Sequence, residues 1–270
     1  MLEDISALEN CTVSSVPDGY DAFLLAQLWE KSDRDILYIV SDGVALENTA
    51  HILSVIRPEA EVLKFPAWDT VPYDRVSPNV NIVAARIGAL SALAQNPSPK
   101  KPRIIVTSAG AAIQRLPLKK IFLNSMKNVS VGGELNFNDF VHYAVVNGYN
   151  RVEQVMEPGE YAVRGDILDI FPVGSELPLR IDLFGDEVEK IRTFDPLTQR
   201  TAGELKSYTF QVMGEVALDN NTIKTFRAKY REAFGSGGTG DELYESISNS
   251  QKYIGMENWL PFFYDEALPT

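Results

Sequence analysis

The sequence predicts an α/β protein with a parallel-sheet domain and a second, smaller α+β domain. The first 115 residues alternate short apolar runs with helical segments, which is typical of a parallel sheet covered by helices. From about residue 116 the pattern changes to short strands separated by glycine and proline turns. With 45% apolar and 23% charged residues among 270, the composition is that of a globular chain long enough for one large or two small domains.

Strand and helix signals alternate through the first domain. Short apolar runs of the buried parallel-strand type predict three strands, at Ile36–Val40, Glu61–Phe65 and Arg103–Thr107. Hydrophobic periodicity and the residues that end helices predict helices at Tyr20–Trp29, Ala45–Ile56 and Val80–Gln95. Ser108 is placed to cap a short helix that runs to Arg115.

Turn signals organise the second domain. Pro158-Gly159 predicts a hairpin between Arg151–Glu157 and Tyr161–Phe171. Gly185-Asp186 predicts a type I′ turn between Leu179–Phe184 and Glu187–Phe194. The remaining predicted elements are a strand at Val129–Val131, a helix near Asn138–Val146, a strand at Ser207–Met213, a helix at Asn221–Phe234, a flexible loop at Gly235–Gly240 and a helix from Asp241.

Charge and cysteine content restrict the class of protein. The net charge of −12 repels nucleic acid and argues against a dedicated DNA-binding module, although not against a local contact. A single cysteine, Cys11, an acidic N-terminus and the lack of any apolar run of about 20 residues predict a cytoplasmic protein with no membrane contact.

One basic run departs from the acidic average. Seven bases and no acids lie between Ser98 and Ser130, namely Lys100, Lys101, Arg103, Arg115, Lys119, Lys120 and Lys127. Such a run is either a solvated face or a local contact for nucleic acid, and the sequence leaves both open.

Residues for catalysis or cofactor binding are scarce. His51 and His142 fall inside predicted helices without a partner cluster, and Cys11 has no neighbouring base, so we expect no catalytic or metal site. The segment Ser14–Asp21, where a P-loop would stand, has one glycine, no lysine and two acids. Gly235–Gly240 follows a helix and is interpreted as a linker. The sequence therefore predicts no bound nucleotide and no cofactor.

Strand alternation draws attention to one surface. In Leu179–Phe184 the aliphatic side chains point to one side, which leaves Arg180 and Phe184 together on the other. Arg164 lies in the neighbouring predicted strand. Arginine and aromatic residues dominate protein–protein hot spots. The alternative is that Phe184 packs under a turn and the arginines are merely solvated.

These residues also carry a family resemblance. Tyr161–Pro172 reads YAVRGDILDIFP, Leu179–Phe184 reads LRIDLF and Phe194–Thr198 reads FDPLT, and together they resemble a block shared by the excision-repair protein UvrB and the transcription-repair coupling factors (Mfd). Trp68–Pro78, with its WDTVPYD and SP, resembles the coupling factors. The segments Gly148–Tyr161, Gly174–Pro178 and Thr198–Thr201 resemble them too. UvrB would also carry an intact Walker A loop and a tyrosine-rich DNA-gripping hairpin, which this sequence lacks.

The resemblance implies a fold and a partner. It implies a degenerate RecA/helicase-like domain over residues 1–115, an inserted UvrA-binding α+β domain over 116–208, and a segment over 209–270 that returns to the first domain. It also implies that Arg164, Arg180 and Phe184 contact the damage-recognition ATPase UvrA. Longer family members further bind RNA polymerase and double-stranded DNA as ATP-dependent translocases, and mask the UvrA surface with a C-terminal domain.

The functional hypothesis follows from this resemblance. We expect an N-terminal UvrB-like module of a transcription-repair coupling factor, which recruits UvrA in transcription-coupled nucleotide excision repair and has no ATPase activity of its own. The alternative is a UvrB-related nucleic-acid-binding or NTPase domain.

Overall fold

The computed structural model of the chain describes residues 10, 12–119, 123, 126–212, 214–216, 218–235 and 240–265. They form two compact units. The first contains the described residues up to Trp68 together with Gly88–Gln114, and the second contains Asp69–Ile87 and the described residues from Arg115 onward. Parallel and antiparallel sheets are both present, which confirms the predicted α/β fold class.

The first unit contains the predicted parallel sheet. Its strands are β1 (Ile36–Val40), β2 (Val62–Phe65) and β3 (Ile104–Ser108), in the order β1-β3-β2 and all parallel. Its helices are α1 (Tyr20–Lys31), α2 (Gly43–Ile56) and α4 (Ala109–Ala112), while α3 (Val80–Gln95) is divided between the two units at Ile87. The predicted strand–helix alternation is therefore confirmed; its RecA-like character stays a prediction.

Local chemistry explains the helix boundaries. The Asp42 carboxylate accepts hydrogen bonds from the Val44 and Ala45 amides and so caps α2, which ends just before Pro58. Ser108 caps α4 by accepting from the Ala111 amide, as predicted, but α4 ends at Ala112 and does not reach Arg115.

The second unit is built on a six-stranded sheet in the order β10-β9-β8-β7-β6-β5. Its strands are β5 (Asn150–Arg151), β6 (Glu160–Arg164), β7 (Ile167–Ile170), β8 (Leu179–Phe184), β9 (Glu187–Phe194) and β10 (Thr201–Leu205). The strands β4 (Lys127–Ser130) and β11 (Ser207–Phe210) form a separate antiparallel pair. The predicted strands Leu179–Phe184 and Glu187–Phe194 are confirmed residue for residue.

The predicted hairpin at Pro158-Gly159 is wrong. Tyr161–Phe171 is not one strand, because the chain turns at Gly165-Asp166 and pairs β6 antiparallel with β7. Gly165 takes this turn at a φ of 59°, which favours glycine. The segment before Pro158 reaches the sheet only through β5, which runs parallel to β6.

The turn at Gly185-Asp186 joins β8 and β9 as predicted, but it is not of type I′. Type I′ requires positive φ at both central residues. Gly185 has a φ of 62°, whereas Asp186 lies outside the positive-φ region. A positive φ at the first central residue alone is the pattern of a type II′ turn.

A helix covers one side of the six-stranded sheet. Helix α5 (Phe137–Val146) begins after Asn136, whose side chain accepts from the Asp139 amide. The fully buried Phe140 and Ala144 of α5 share one hydrophobic cluster with the aliphatic side chains of the sheet. We call this side the inner face, and it carries Leu168, Ile170, Leu179, Ile181 and Leu183.

The C-terminal part of the second unit is helical and rich in aromatic residues. It comprises α6 (Asn220–Phe234), α7 (Glu242–Ser248), a 3₁₀ turn (Met256–Trp259) and α8 (Leu260–Phe263). Its hydrogen bonds reach the Thr70–Ser77 segment, where Asn258 accepts from Thr70 and Arg75 pairs with Asp241 at 2.6 Å. The described residues from Arg115 onward belong to one compact unit. The division of the chain at residues 115 and 208, with a return segment over 209–270, stays a prediction.

Candidate protein-binding surface

The side of the six-stranded sheet opposite α5 is charged, and we call it the outer face. Strand register defines it, because directly paired residues of neighbouring strands point to the same side of a sheet. Arg164 pairs with Ile167, Ile167 pairs with Asp182, and Asp169 pairs with Arg180. The outer face therefore carries Arg164, Ile167, Asp169, Arg180, Asp182 and Phe184. The structure places all three residues of the predicted UvrA contact on this one face.

Phe184 is the most exposed apolar side chain of strand β8. Its exposed fraction is 75%, whereas Leu183 beside it on the inner face is 6% exposed. The Leu183 amide donates to the Asp166 carbonyl, so the end of β8 runs beside the Gly165-Asp166 turn. Three quarters of the Phe184 side chain nevertheless stays in contact with solvent. The alternative in which Phe184 packs under a turn is wrong.

Arg180 is held by its neighbours and is not a free surface side chain. Its Nε and Nη2 donate to the two carboxylate oxygens of Asp169, each at 2.7 Å. Nη2 also donates to Gln199 at 3.2 Å, and the guanidinium lies 4.5 Å from the centre of the Phe194 ring. The Arg180 side chain is only 18% exposed and that of Asp169 only 2%. The hydrogen bond to Asp169 raises the pKa of Arg180 above its ordinary value.

Arg164 is more open to solvent. It is exposed, and its Nη2 donates to the Glu153 carbonyl at 2.7 Å, which ties the end of β6 to the segment before Pro158. Asp182, between Arg180 and Phe184 along β8, is paired with Arg192 of β9. The outer face thus combines two ion pairs with a small buried apolar cluster around Phe194, and one aromatic ring is left uncovered at its end.

Gln199 takes part in the contacts of the outer face although sequence reasoning did not find it. Its side-chain amide donates to the carbonyls of Val155 and Pro196, at 3.3 and 2.7 Å, while its oxygen accepts from Arg180. Its backbone has a φ of 59°, which is uncommon outside glycine. A long-range side-chain role of this kind leaves no periodic signal in a sequence. Asp169 could have been found, because alternation places it beside Arg180.

Known protein families match the part of the chain that contains the outer face. Residues 128–213 match the family described as the UvrB interaction domain, and they include the whole outer face. Along its length the chain is similar to curated transcription-repair-coupling factors. It is 35% identical to that of Haemophilus influenzae over 255 residues, which are 94% of this chain and 22% of the relative. It is 32% identical to that of Escherichia coli over 251 residues, 92% of this chain and 21% of the relative.

The chain matches the N-terminal region of the transcription-repair-coupling factor family. The factor of Rickettsia bellii is similar as well, with 34% identity over 244 residues, or 90% of this chain and 21% of the relative. The chain thus spans about a fifth of the length of the curated relatives it matches. The resemblance stated from the motifs is confirmed.

The segment compared above with a P-loop leads into a helix that carries a structural carboxylate. Helix α1 begins after Gly19, which has a φ of 79° and provides no side-chain cap. In the first turn of α1, Asp21 accepts from the Tyr38 hydroxyl at 2.8 Å and from the Thr49 hydroxyl at 3.2 Å. Burial and the hydrogen bond to Asp21 raise the pKa of Tyr38 to about 12. A carboxylate near the start of the helix repels a phosphate group.

Three members of the basic run have contacts within their own unit. Arg103 is 1% exposed and pairs with Asp35 at 2.6 Å, where hydrogen bonds from Arg103 outweigh burial and hold the Asp35 pKa below its ordinary value. Lys101 lies 5.8 Å from the ring of Trp29, and Lys127 lies 5.5 Å from that of Phe140. Lys120 lies outside the described residues.

The two histidines do not belong to a catalytic or metal-binding cluster among the described residues. His142 is exposed, and His51 lines an open hollow of about 270 Å³ whose Glu47 and Lys64 pair with each other. Within the described ranges no group of three or more histidine, cysteine, aspartate and glutamate side chains could hold a metal ion. Cys11 and residues 236–239 of the glycine loop lie outside those ranges. Among the residues that are described, none of the helices is both long and apolar enough to cross a bilayer.

Proposed function

We propose that this chain recruits the damage-recognition ATPase UvrA through the outer face of its UvrB interaction domain, as part of a factor that couples transcription to nucleotide excision repair. The observation that carries the proposal is Phe184, a 75% exposed aromatic ring on the same face as Arg164 and Arg180. Large apolar side chains that native folding leaves uncovered, with arginines beside them, are the usual anchors of protein interfaces.

The geometry gives each residue a role in such a complex. Phe184 would enter an apolar pocket of UvrA and lose its water contacts there. Arg180 is fixed by Asp169, Gln199 and Phe194, so its remaining N–H donors are oriented before the partner arrives. Little side-chain entropy is then lost on binding. Arg164, more exposed, would provide long-range attraction as well as a contact.

The mechanism we propose is mimicry of UvrB. The full-length factor would displace a stalled RNA polymerase by translocating on double-stranded DNA with ATP, and would then present this face to UvrA in the cytoplasm. A C-terminal domain of the longer protein would mask the face until that moment. A protein that lacks the masking domain would bind UvrA constitutively.

We further propose that these 270 residues bind no nucleotide and use no cofactor. Supporting observations are the Asp21 carboxylate at the start of α1 and the lack of lysine in Ser14–Asp21. A calorimetric titration with Mg-ATP should show no heat of binding. Micromolar affinity would overturn this part of the proposal and favour the NTPase alternative.

The central test is a titration of purified UvrA with the chain, alongside a DNA mobility-shift assay. We expect saturable binding to UvrA and no shift of DNA at physiological salt. Phe184→Ala should weaken UvrA binding by roughly 30-fold, the cost of losing a hot-spot side chain. Wild-type affinity of Phe184→Ala would show that the face is misassigned, and a DNA shift without UvrA binding would favour the nucleic-acid alternative.

A further inference from the structure

The arrangement of strands places an aliphatic side chain in the middle of the three residues proposed to contact UvrA. Ile167 begins β7, and it pairs directly with Arg164 on one side and with Asp182 on the other. Arg180 and Phe184 lie two residues before and after Asp182 on β8. Ile167 is therefore the direct neighbour of Arg164 and the diagonal neighbour of both Arg180 and Phe184 on one face.

The burial of β7 singles out the same residue. Leu168, Asp169 and Ile170 are all buried, whereas Ile167 is 37% exposed. Its direct neighbours on the outer face, Arg164 and Asp182, are both charged. About a third of this aliphatic side chain therefore stays in water in the folded chain, where a partner could cover it.

We infer that Ile167 is a fourth UvrA-contacting residue and forms, with Phe184, the apolar centre of the docking surface. This inference rests on the proposed function. Single exposed apolar residues are common, but two as diagonal neighbours make a continuous apolar strip, here bordered by Arg164 and Arg180. Interface energy concentrates in such a centre, from which the surrounding polar groups exclude water. The matching site on UvrA is an apolar pocket with acceptor oxygens at its edge that face the two arginines.

The test compares two β-branched side chains of the same domain. Ile167→Thr keeps the β-branch that strands favour and replaces an apolar end by a hydroxyl. Val145→Thr is the matched control, because Val145 is 53% exposed but lies on α5, the helix that covers the inner face. Affinity for UvrA is measured by titration, and folding by thermal unfolding of each variant.

We expect Ile167→Thr to weaken UvrA binding roughly five- to tenfold and Val145→Thr to leave it unchanged. Ile167→Arg, which places a long charged side chain at the centre, should weaken binding at least as much. It also serves as the test if Ile167→Thr does not fold. Wild-type affinity of either folded Ile167 variant would overturn the inference.

Measuring the Phe184→Ala variant in the same experiment distinguishes a failure of this inference from a failure of the proposed function. If Phe184→Ala weakens binding and the Ile167 variants do not, the face is correctly assigned and only the central role of Ile167 is wrong. If UvrA binds but none of the Phe184 and Ile167 variants alters its affinity, the proposed face and this inference both fail.

Discussion

The two faces of the six-stranded sheet are made by the same strands but are stabilised by different forces. The inner face buries Leu168, Ile181 and similar side chains against α5, so its stability comes from apolar burial. The outer face holds Asp169 and Arg180, which are partly or fully buried and satisfy each other. Apolar packing tolerates approximate fits, whereas a buried ion pair depends on both partners being present. The two faces should therefore respond differently to the loss of one side chain.

The largest expected loss of stability is on the inner face. Ile181 is completely buried, so Ile181→Ala removes apolar contacts and leaves a cavity that costs about 3 kcal/mol of unfolding free energy. Urea unfolding monitored by circular dichroism measures this. A loss below about 1 kcal/mol would mean that the inner face repacks and that the contrast between the faces is smaller than the structure suggests.

The next largest effect is on the outer face and corrects a sequence-based expectation. The sequence places Arg180 on the surface, where truncation changes stability by at most about 0.5 kcal/mol. In the structure Arg180→Ala would leave Asp169, 2% exposed, without its cation, and we expect a loss of about 2 kcal/mol.

The Asp169→Ala/Arg180→Ala double variant provides the control for this loss. It removes both charges, so we expect it to be more stable than Arg180→Ala alone. Equal or lower stability of the double variant would contradict the role given to the pair. Because Arg180→Ala weakens the fold, its effect on UvrA binding has to be compared with that of this double variant.

Alkaline pH should destabilise the inner side of the sheet, among other sites. Burial raises the pKa of Tyr143, which packs against the inner-face cluster, above the value near 10 of an unfolded tyrosine. The folded protein keeps a proton that the unfolded chain releases, so this stabilisation is complete below about pH 10 and is lost as pH rises further. At pH 10.5 the loss should be on the order of 1 kcal/mol.

Urea unfolding of the wild type and of Tyr143→Phe at pH 8 and pH 10.5 measures this contribution. The variant should lose less stability than the wild type between the two pH values. An identical pH dependence of the two proteins would show that Tyr143 does not carry the effect.

The smallest effect on stability is expected at the exposed end of the outer face. Phe184→Ala should change the unfolding free energy by no more than about 0.5 kcal/mol, because three quarters of the side chain is already in water. The same thermal unfolding experiment that serves the binding variants checks it. A loss as large as that of Ile181→Ala would mean that Phe184 packs in solution and is not free to bind a partner.

The two faces also differ in how well the sequence predicts them. Period-two alternation in Leu179–Phe184 and the Gly185-Asp186 turn were enough to place Ile181 inside and Phe184 outside. The turn at Gly165-Asp166 was missed, because apolar residues continue on both sides of it. Strand β10 was missed as well, since Thr201–Leu205 has no alternation of large apolar side chains. Alternation predicts the side to which a residue points, but not which partner it meets there.

For that reason the candidate site was predicted only in part. The three predicted residues do share a face, but the ion pair between Arg180 and Asp169 depends on the register of β7 and β8. A slip of that register by two residues would keep every side chain on its face but change its partner, so alternation alone does not specify the pair. Gln199 and the central position of Ile167 depend on the register in the same way.

The Arg180–Asp169 pair has a consequence for association in salt solutions. Its two charges cancel at close range, so Arg180 offers a partner directed donors with almost no long-range field. Ionic strength screens the attraction between separated charges and leaves short hydrogen bonds almost untouched. The salt dependence of the association rate with UvrA should then come from Arg164, while Arg180 acts mainly on the lifetime of the complex. Arg164 would thus act mainly on the rate of association, and Arg180 mainly on the rate of dissociation.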